Sequence, residues 1–365
     1  MPPSARTPLY EQHRALGAKF AEFSGWEMPL QFSGVVDEHT AVRERVGVFD
    51  VSHLGKATVS GSGSRAFVDS CLTNALGKIA PGKAQYTMCC DDPTGGVVDD
   101  LIVYLRSDDD LLLVPNAANC AEVVRRLAEA APAGISVRDQ HHQYAILAVQ
   151  GRFSDETLTA IGLPTGHDYM AFATGKWRDV PVIVCRTGYT GERGYELVVP
   201  WDHVGPLWDA LLGSGEPHGI VPCGLGARDT LRTEMGYPLH GQDLSLDITP
   251  VQAGAAWAVG WDKPKFWGRA ALLAERSAGP RRRLRGIAAS GRGIPRPGMT
   301  VVADDEPAGT VTSGTFSPTL RTGIGLALLR ADVGVGALVS VDVRGRREQF
   351  EVVKPPFVQP STREA

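Results

Sequence analysis

The chain has 365 residues, of which 43% are hydrophobic and 21% charged, and a formal net charge of −4. That length and composition can bury a substantial core, suggest two or three domains or subdomains, and exclude a disordered or fibrous protein. The near-neutral balance provides no global field for nucleic acid or an anionic membrane, and no run approaches the roughly 20 apolar residues that cross a bilayer, so neither is expected as a partner.

The opening MPPSARTPLYEQHRALG carries neither the basic segment nor the apolar core of a secretory signal. Cys71, Cys89, Cys90, Cys120, Cys185 and Cys223 include no C-x-x-C pair, which points to a reducing, cytoplasmic setting. The nine histidines show no H-x-x-x-H spacing, so no metal is expected.

In chain order, DEHTAVRERVG (Asp37 to Gly47) predicts a helix with acidic residues at its start and a glycine stop, and VFDVSHLGKATV has strand character. SGSRAFVDSCLTNALG predicts a Ser-capped helix running through Leu76. Strands follow near Gln85 to Cys89, Val97 to Leu105 and Leu111 to Pro115, and then a helix over NCAEVVRRLAEAA with Asn119 as its N-cap. From Gln143 the pattern restarts: strand YAILAVQG, helix near Asp155 to Ile161, strands VPVIVCRTGY and GYELVVP, and a helix opened by Asp202. The alternation predicts an α+β layer of sheet and helices. CGLGARDTLRTEMGYPLHG then reads as a Gly-rich turn into a helix from Ala227 to Met235. AERSAGPRRRLRG, Ala274 to Gly286, reads as an exposed linker, and the Gly- and Pro-punctuated β-rich runs beyond it predict a small barrel or sandwich.

The stretch GGVVDDLIVY places Asp99 and Asp100 inside an apolar strand, where an unpaired carboxylate costs several kcal/mol. A metal site, an acid/base pair, or a strand end with one structural and one working Asp would each explain it. Alternation sets Val98, Asp100, Ile102 and Tyr104 on one face and Val97, Asp99, Leu101 and Val103 on the other, so the two carboxylates point apart. A hairpin centred near Asp108 sets Asp100 opposite Asn116, and one centred near Pro93 sets it opposite Tyr86. Tyr86, Asp100, Tyr104 and Asn116 then share one face, a composition suited to a flat hydrogen-bonding ligand. Asp99 is assigned the structural role, capping a turn or pairing with an Arg.

The phrases TPLYEQH, FSGWEMPLQF, VFDVSHLGK, GKAQYTM, GGVVDDLIVY, TGYTGERGYEL, PCGLGARDTLR, SGTFSPTL and KPPFV, in order along the chain, resemble the T-protein family of the glycine cleavage system. The resemblance implies a folate-binding fold of two intertwined α+β domains plus a C-terminal β-barrel domain. The expected division is 1–275 (about 1–52 with 140–275, and 53–139), a linker at 276–285 and a barrel at 286–362. It implies aminomethyl transfer from the lipoylated H-protein to tetrahydrofolate, working with P-protein and L-protein and needing no metal. Carried over residue by residue, Asp100 is the working carboxylate and Glu196 the acid for the pterin edge, and Tyr86, Tyr104, Asn116, Tyr189 and Tyr237 line the pocket. Arg228 is the site cation, held by Asp229.

Three departures stand out. Leu54 occupies a position where Met is usual, and His240 one where Tyr is common; the C-terminal PFVQPSTREA lacks a Tyr that some members place at the substrate site. His53 is read as a structural histidine. Two other classes are weighed: a folate-binding accessory protein, whose KGCYxGQE signature is replaced here by EMGYPLHGQD, and the folate domain of an amine oxidase, whose flavin motif G-x-G-x-x-G is absent. A demethylase paralogue would keep the same pocket.

Overall fold

The structure, a computed structural model, describes residues 4–343 and 345–362. Two sheets build its centre. One has six strands in the order Phe172–Trp177, Val180–Cys185, Gly194–Pro200, Tyr144–Gln150, Gly47–Asp50 and Val221–Cys223, antiparallel except for the last pair. The other has five: Lys83–Cys90, Val97–Ser107, Asp110–Val114, Ala57–Ser60 and Ser136–Asp139. A three-stranded sheet of Ala5–Arg6, Trp26–Gln31 and Lys19–Phe23 flanks them, and six strands between Arg282 and Val353 close a barrel.

Two-residue periodicity sorts the side chains. Tyr195, Leu197 and Val199 enter a core with the helix Val204–Gly215, and Leu101, Val103 and Leu105 enter another beneath the helices Ser64–Cys71 and Cys120–Ala130. Each such fully buried aliphatic side chain contributes about 1.5–3 kcal/mol. The opposite faces of the two sheets meet: Ile102 and Tyr104 from one pack with Ile146, Cys185 and Val198 from the other. Asp100 follows the parity of Ile102, and Glu196 that of Val198. Both carboxylates therefore reach the seam between the sheets.

The hairpin registers differ from expectation on one side only. Ile102 pairs with Val114 and Val103 with Leu113, which extrapolates to Asp100 opposite Asn116. On the other side Met88, not Tyr86, lies opposite Asp100, because the turn is displaced and a bulge interrupts the pairing between Cys89 and Cys90. The bulge also overturns the face assignment at the strand start: Val98 joins the core of Leu101, and Val97 that of Met88.

Other elements correct the sequence reading. The helix Ser64–Cys71 stops well short of Leu76, and Gly63 occupies its N-cap while the Ser64 hydroxyl bonds back to the Gly61 carbonyl. Asn119 precedes the helix Cys120–Ala130 without capping it, because its amide is engaged elsewhere. The segment read as linker is largely ordered: the helix Arg269–Ala278 fills its first part and the barrel strand Arg282–Ala289 begins before 286, leaving a connection of 279–281. Arg281 and Arg282 in its basic run are exposed, whereas Arg283 and Arg285 are half-buried along the strand.

Two contacts position the site. Gly96 is required by a crossing segment, since a Cβ there would stand 1.8 Å from the Leu246 carbonyl oxygen. The Val97 N–H then donates to the Ser245 carbonyl at 2.8 Å, which ties residues 245–248 to the strand carrying Asp99 and Asp100. The barrel docks through the helix Leu225–Glu234, where Arg232 donates to Ser313 and Glu234 accepts from Ser317.

Candidate active site

At one end of the seam, both oxygens of Asp100 are engaged. The Tyr86 hydroxyl donates to Oδ2 at 3.0 Å and Asn116 Nδ2 to Oδ1 at 3.0 Å. Burial pushes the Asp100 carboxyl above its ordinary range, partly offset by His240, Tyr86 and Asn116. The Tyr86 hydroxyl is pushed well up by burial and by the Asp100 charge, so it stays a donor. The Tyr86 ring stacks on Trp257 at 5.4 Å, and Trp257 is 68% exposed, an aromatic plate at the mouth of the site.

At the other end, the Thr187 hydroxyl donates to Glu196 Oε2 at 2.5 Å and lies 3.0 Å from the Tyr104 hydroxyl. Glu196 has no ion pair among the described residues. Burial raises its carboxyl, with Thr187 and the Arg228 charge opposing. The Arg228 charge acts on Glu196. The Arg228 guanidinium rests 4.3 Å over the Tyr189 ring and forms no ion pair among the described residues. Asp229 does not hold it: Oδ1 of Asp229 accepts from Arg232 Nε and Nη2 at 2.8 and 2.7 Å, because residues three apart on the helix lie on one side.

Tyr189 and Arg228 also line a cavity of about 270 Å³ walled by Phe23, Met28, Leu239 and Gln242. The Tyr189 hydroxyl donates to the Pro238 carbonyl, and Tyr237 lies 5.6 Å from its ring. Leu54 packs against the core containing Tyr104 and Ala227. A carboxylate with two donors, a second, half-buried carboxylate, a guanidinium with no ion pair among the described residues and an aromatic plate can together hold a flat polar ligand and favour cationic charge near Asp100.

The family described as GCVT N-terminal domain matches residues 9–263, and the one described as glycine cleavage T-protein C-terminal barrel domain matches 282–359. An aminomethyltransferase of Frankia alni is 64% identical over 98% of both chains, and one of Mycobacterium tuberculosis is 60% identical over 98% of this chain and 97% of its own. The chain belongs to the glycine cleavage T-protein family. A crystal structure of the glycine cleavage system aminomethyltransferase T from Bartonella henselae superposes with a TM-score of 0.92 at 31% identity over 98% of each chain. As a T-protein the chain is an enzyme, an aminomethyltransferase of the glycine cleavage system, and its fold is that family's: mixed α and β domains with a closed six-stranded barrel.

Every T-protein position singled out in the sequence lies in or beside the seam, with Leu54 and Tyr237 at its margin. Three residues were missed as participants. Thr187 joins Tyr104 to Glu196, and Trp257 covers Tyr86; neither sits in a pattern that marks it in the sequence. Asn119 has the sequence signature of a cap, yet NAANC sets it three residues after Asn116, a spacing that brings two amides to one place.

Asp99 also departs from its assignment. Among the described residues it pairs with no Arg, and burial with the neighbouring Asp100 charge pushes its carboxyl well above the ordinary range. The two carboxylates are not separate either, since one amide, that of Asn116, touches both. His53 is structural in place but not satisfied: it is 1% exposed and its Nδ1 has no partner among the described residues. Burial, then the Arg228 charge, lowers it to about 3, which keeps the ring neutral.

Cys120, Asp139 and His141 bring possible metal-ligating atoms within 4.8 Å of one another, the one such group among the described residues. Burial pushes the Cys120 thiol up to about 12, so the protonated form, a poor metal ligand, prevails. No helix among the described residues is long and apolar enough to cross a membrane.

Proposed function

We propose that the seam binds tetrahydrofolate and that the enzyme transfers to it the one-carbon unit carried as S-aminomethyldihydrolipoyl on the H-protein, in the cytoplasm and alongside P-protein and L-protein. The observation that carries this reading is the pairing, in one seam, of a doubly hydrogen-bonded Asp100 with a Glu196 that accepts from Thr187 and has no ion pair among the described residues. A pterin edge offers parallel N–H donors, which a carboxylate accepts in bidentate fashion. Tyr104 and Thr187 fix the Glu196 side chain for that contact.

In the reaction the aminomethyl carbon moves from sulfur and nitrogen to the two folate nitrogens, ammonia leaves, and the dihydrolipoyl thiol is regenerated. Positive charge develops on the carbon as its bond to nitrogen breaks. Asp100 stabilises that charge and orients the attacking nitrogen, because its oxygens are held by Tyr86 and Asn116 rather than neutralised by a cation. A proton for the leaving amine is a second role proposed for Asp100. Arg228, stacked on Tyr189 and without a carboxylate partner among the described residues, suits an anionic part of the substrate.

The test is direct. Incubated with aminomethyl-loaded H-protein and tetrahydrofolate, the enzyme should release ammonia and form 5,10-methylenetetrahydrofolate in equal amounts. Turnover of a methylated amine in place of loaded H-protein would instead support a demethylase paralogue.

A further inference from the structure

Asp99 is fully buried, and what meets it is not a cation but three N–H donors. The Asn116 backbone N–H donates to Oδ2 at 3.0 Å, and Asn116 Nδ2 and Asn119 Nδ2 donate to Oδ1 at 2.9 and 2.7 Å. A carboxamide can present either its donor or its acceptor end, so something must fix both amides.

For Asn119 the fixing partner is His240. The second acceptor of Asn119 Nδ2 is His240 Nδ1 at 3.0 Å, and His240 Nε2 lies 3.1 Å from the Val97 carbonyl. A carbonyl only accepts and an amide nitrogen only donates, so Nε2 carries the ring proton and Nδ1, facing Asn119 Nδ2, keeps its lone pair. The backbone of Val97 thus sets the tautomer, the tautomer sets the Asn119 amide, and that amide points its nitrogen at Asp99. Asp99, accepting from both the backbone and the side chain of Asn116, in turn sets the Asn116 amide. Asn116 Nδ2 then reaches the Asp100 carbonyl at 2.9 Å and Asp100 Oδ1 at 3.0 Å.

We infer that His240, Asn119 and Asp99 form a positioning relay for Asp100, fixing the Asn116 amide so that it donates to the working carboxylate and holds its rotamer. None of the three touches the reacting atoms. The inference rests on the reading of Asp100 given above, and it makes the departure at His240 a working feature of this chain rather than a lost hydroxyl contact.

His240→Leu removes the acceptor that orients Asn119. It should lower kcat by about tenfold to a hundredfold, the range expected when a reacting group is slightly misplaced, with KM for tetrahydrofolate little changed. His240→Asn keeps an acceptor near the place of Nδ1 and should restore most of that loss. His240→Gln keeps only the reach to Val97 and should not. Asp99→Asn puts a donor against the Asn116 N–H and should lower kcat on the same scale. In an Asp100→Asn background His240→Leu should cost nothing further, since both act through one group. Equal losses in the Leu and Asn variants, or additive losses in the double variant, would overturn the relay.

A readout independent of turnover separates this from the proposed function. Nitrogen-15 NMR of the histidine rings in the wild-type protein should show His240 protonated on Nε2 at neutral pH, with its Nδ1 signal moving in Asn119→Ala. A wild-type protein that fails to process loaded H-protein while showing that signature counts against the proposed reaction alone. A ring protonated on Nδ1 counts against the relay whatever the activity.

Discussion

Two groups of acids flank the domain junction, and they are held in opposite ways. Glu234 and Asp243 are fully buried and face cations. Glu234 Oε2 lies 2.7 Å from Arg43 Nη2 and 3.3 Å from His39 Nε2, and Asp243 Oδ2 lies 3.0 Å from Arg232 Nη1. Among the described residues, Asp99 and Asp100 meet only amides and a hydroxyl. Burial acts on both groups in the same direction; the partners decide the outcome. For Glu234, His39 and Arg43 outweigh burial and bring the carboxyl down to about 2, whereas Asp99 and Asp100 stay above the ordinary range. The first arrangement spends its charge on docking the barrel. The second leaves a negative charge uncompensated where a substrate can use it.

The sharpest break in this contrast is Asp100→Asn, which should lower ammonia release from loaded H-protein by about 10²–10³-fold. The unfolding midpoint should hold or rise, because a carboxyl raised by burial is a burden to the folded state above its unfolded pKa. A large drop in stability would mean that Asp100 is structural like Glu234.

Glu234→Gln should do the reverse. Removing one member of a buried ion pair costs about 3–5 kcal/mol of stability, measurable by denaturant titration. The sign with pH follows from the lowered pKa: the stabilisation by Glu234 is present above its ordinary 4.5 and is lost as pH falls toward about 2. On the order of 3 kcal/mol should vanish over that window in the wild type and be absent in the variant. A wild-type curve as flat as that of the variant would show that Arg43 and His39 do not hold the charge.

Glu196→Ala should weaken tetrahydrofolate binding by about tenfold to a hundredfold, the scale of hydrogen bonds to a charged group, as read by calorimetry. Unchanged affinity would remove Glu196 from the ligand site. Trp257→Ala has the smallest expected effect. Losing the stack on Tyr86 removes about 0.5–1.5 kcal/mol of aromatic contact and should raise KM about two- to tenfold with kcat nearly constant.

The sequence was most readable where one period governs the chain. Beyond the bulge, the strand from Asp99 and the hairpin after it follow alternation, which carries Tyr104 and Asp100 to one face. It failed where a local rule had a rival. The bulge beside Cys90 moved Met88 opposite Asp100, yet Tyr86 still reached the carboxylate diagonally because the tyrosine is long. Asn119 looked like a cap because nothing local announces that its amide is claimed by Asp99 and His240, 20 and 121 residues away. Arg228 beside Asp229 looked like a pair, but Arg232, one helical turn on, took the carboxylate. The remaining site assignments came from family resemblance, since no periodicity singles out Glu196 or Tyr189.

The order of strands in the six-stranded sheet bears on how the enzyme is made. Gly47–Asp50 pairs only with Tyr144–Gln150 and Val221–Cys223, whereas the five-stranded sheet draws all its strands from 57–139. During synthesis the inner sheet can close while the earlier strand still has no neighbour on either side. At ordinary elongation rates that apolar strand waits on the order of ten to thirty seconds for its last partner to leave the ribosome. The nascent chain thus carries an open β edge through much of its translation, and the ribosome-proximal chaperones have a defined segment to guard.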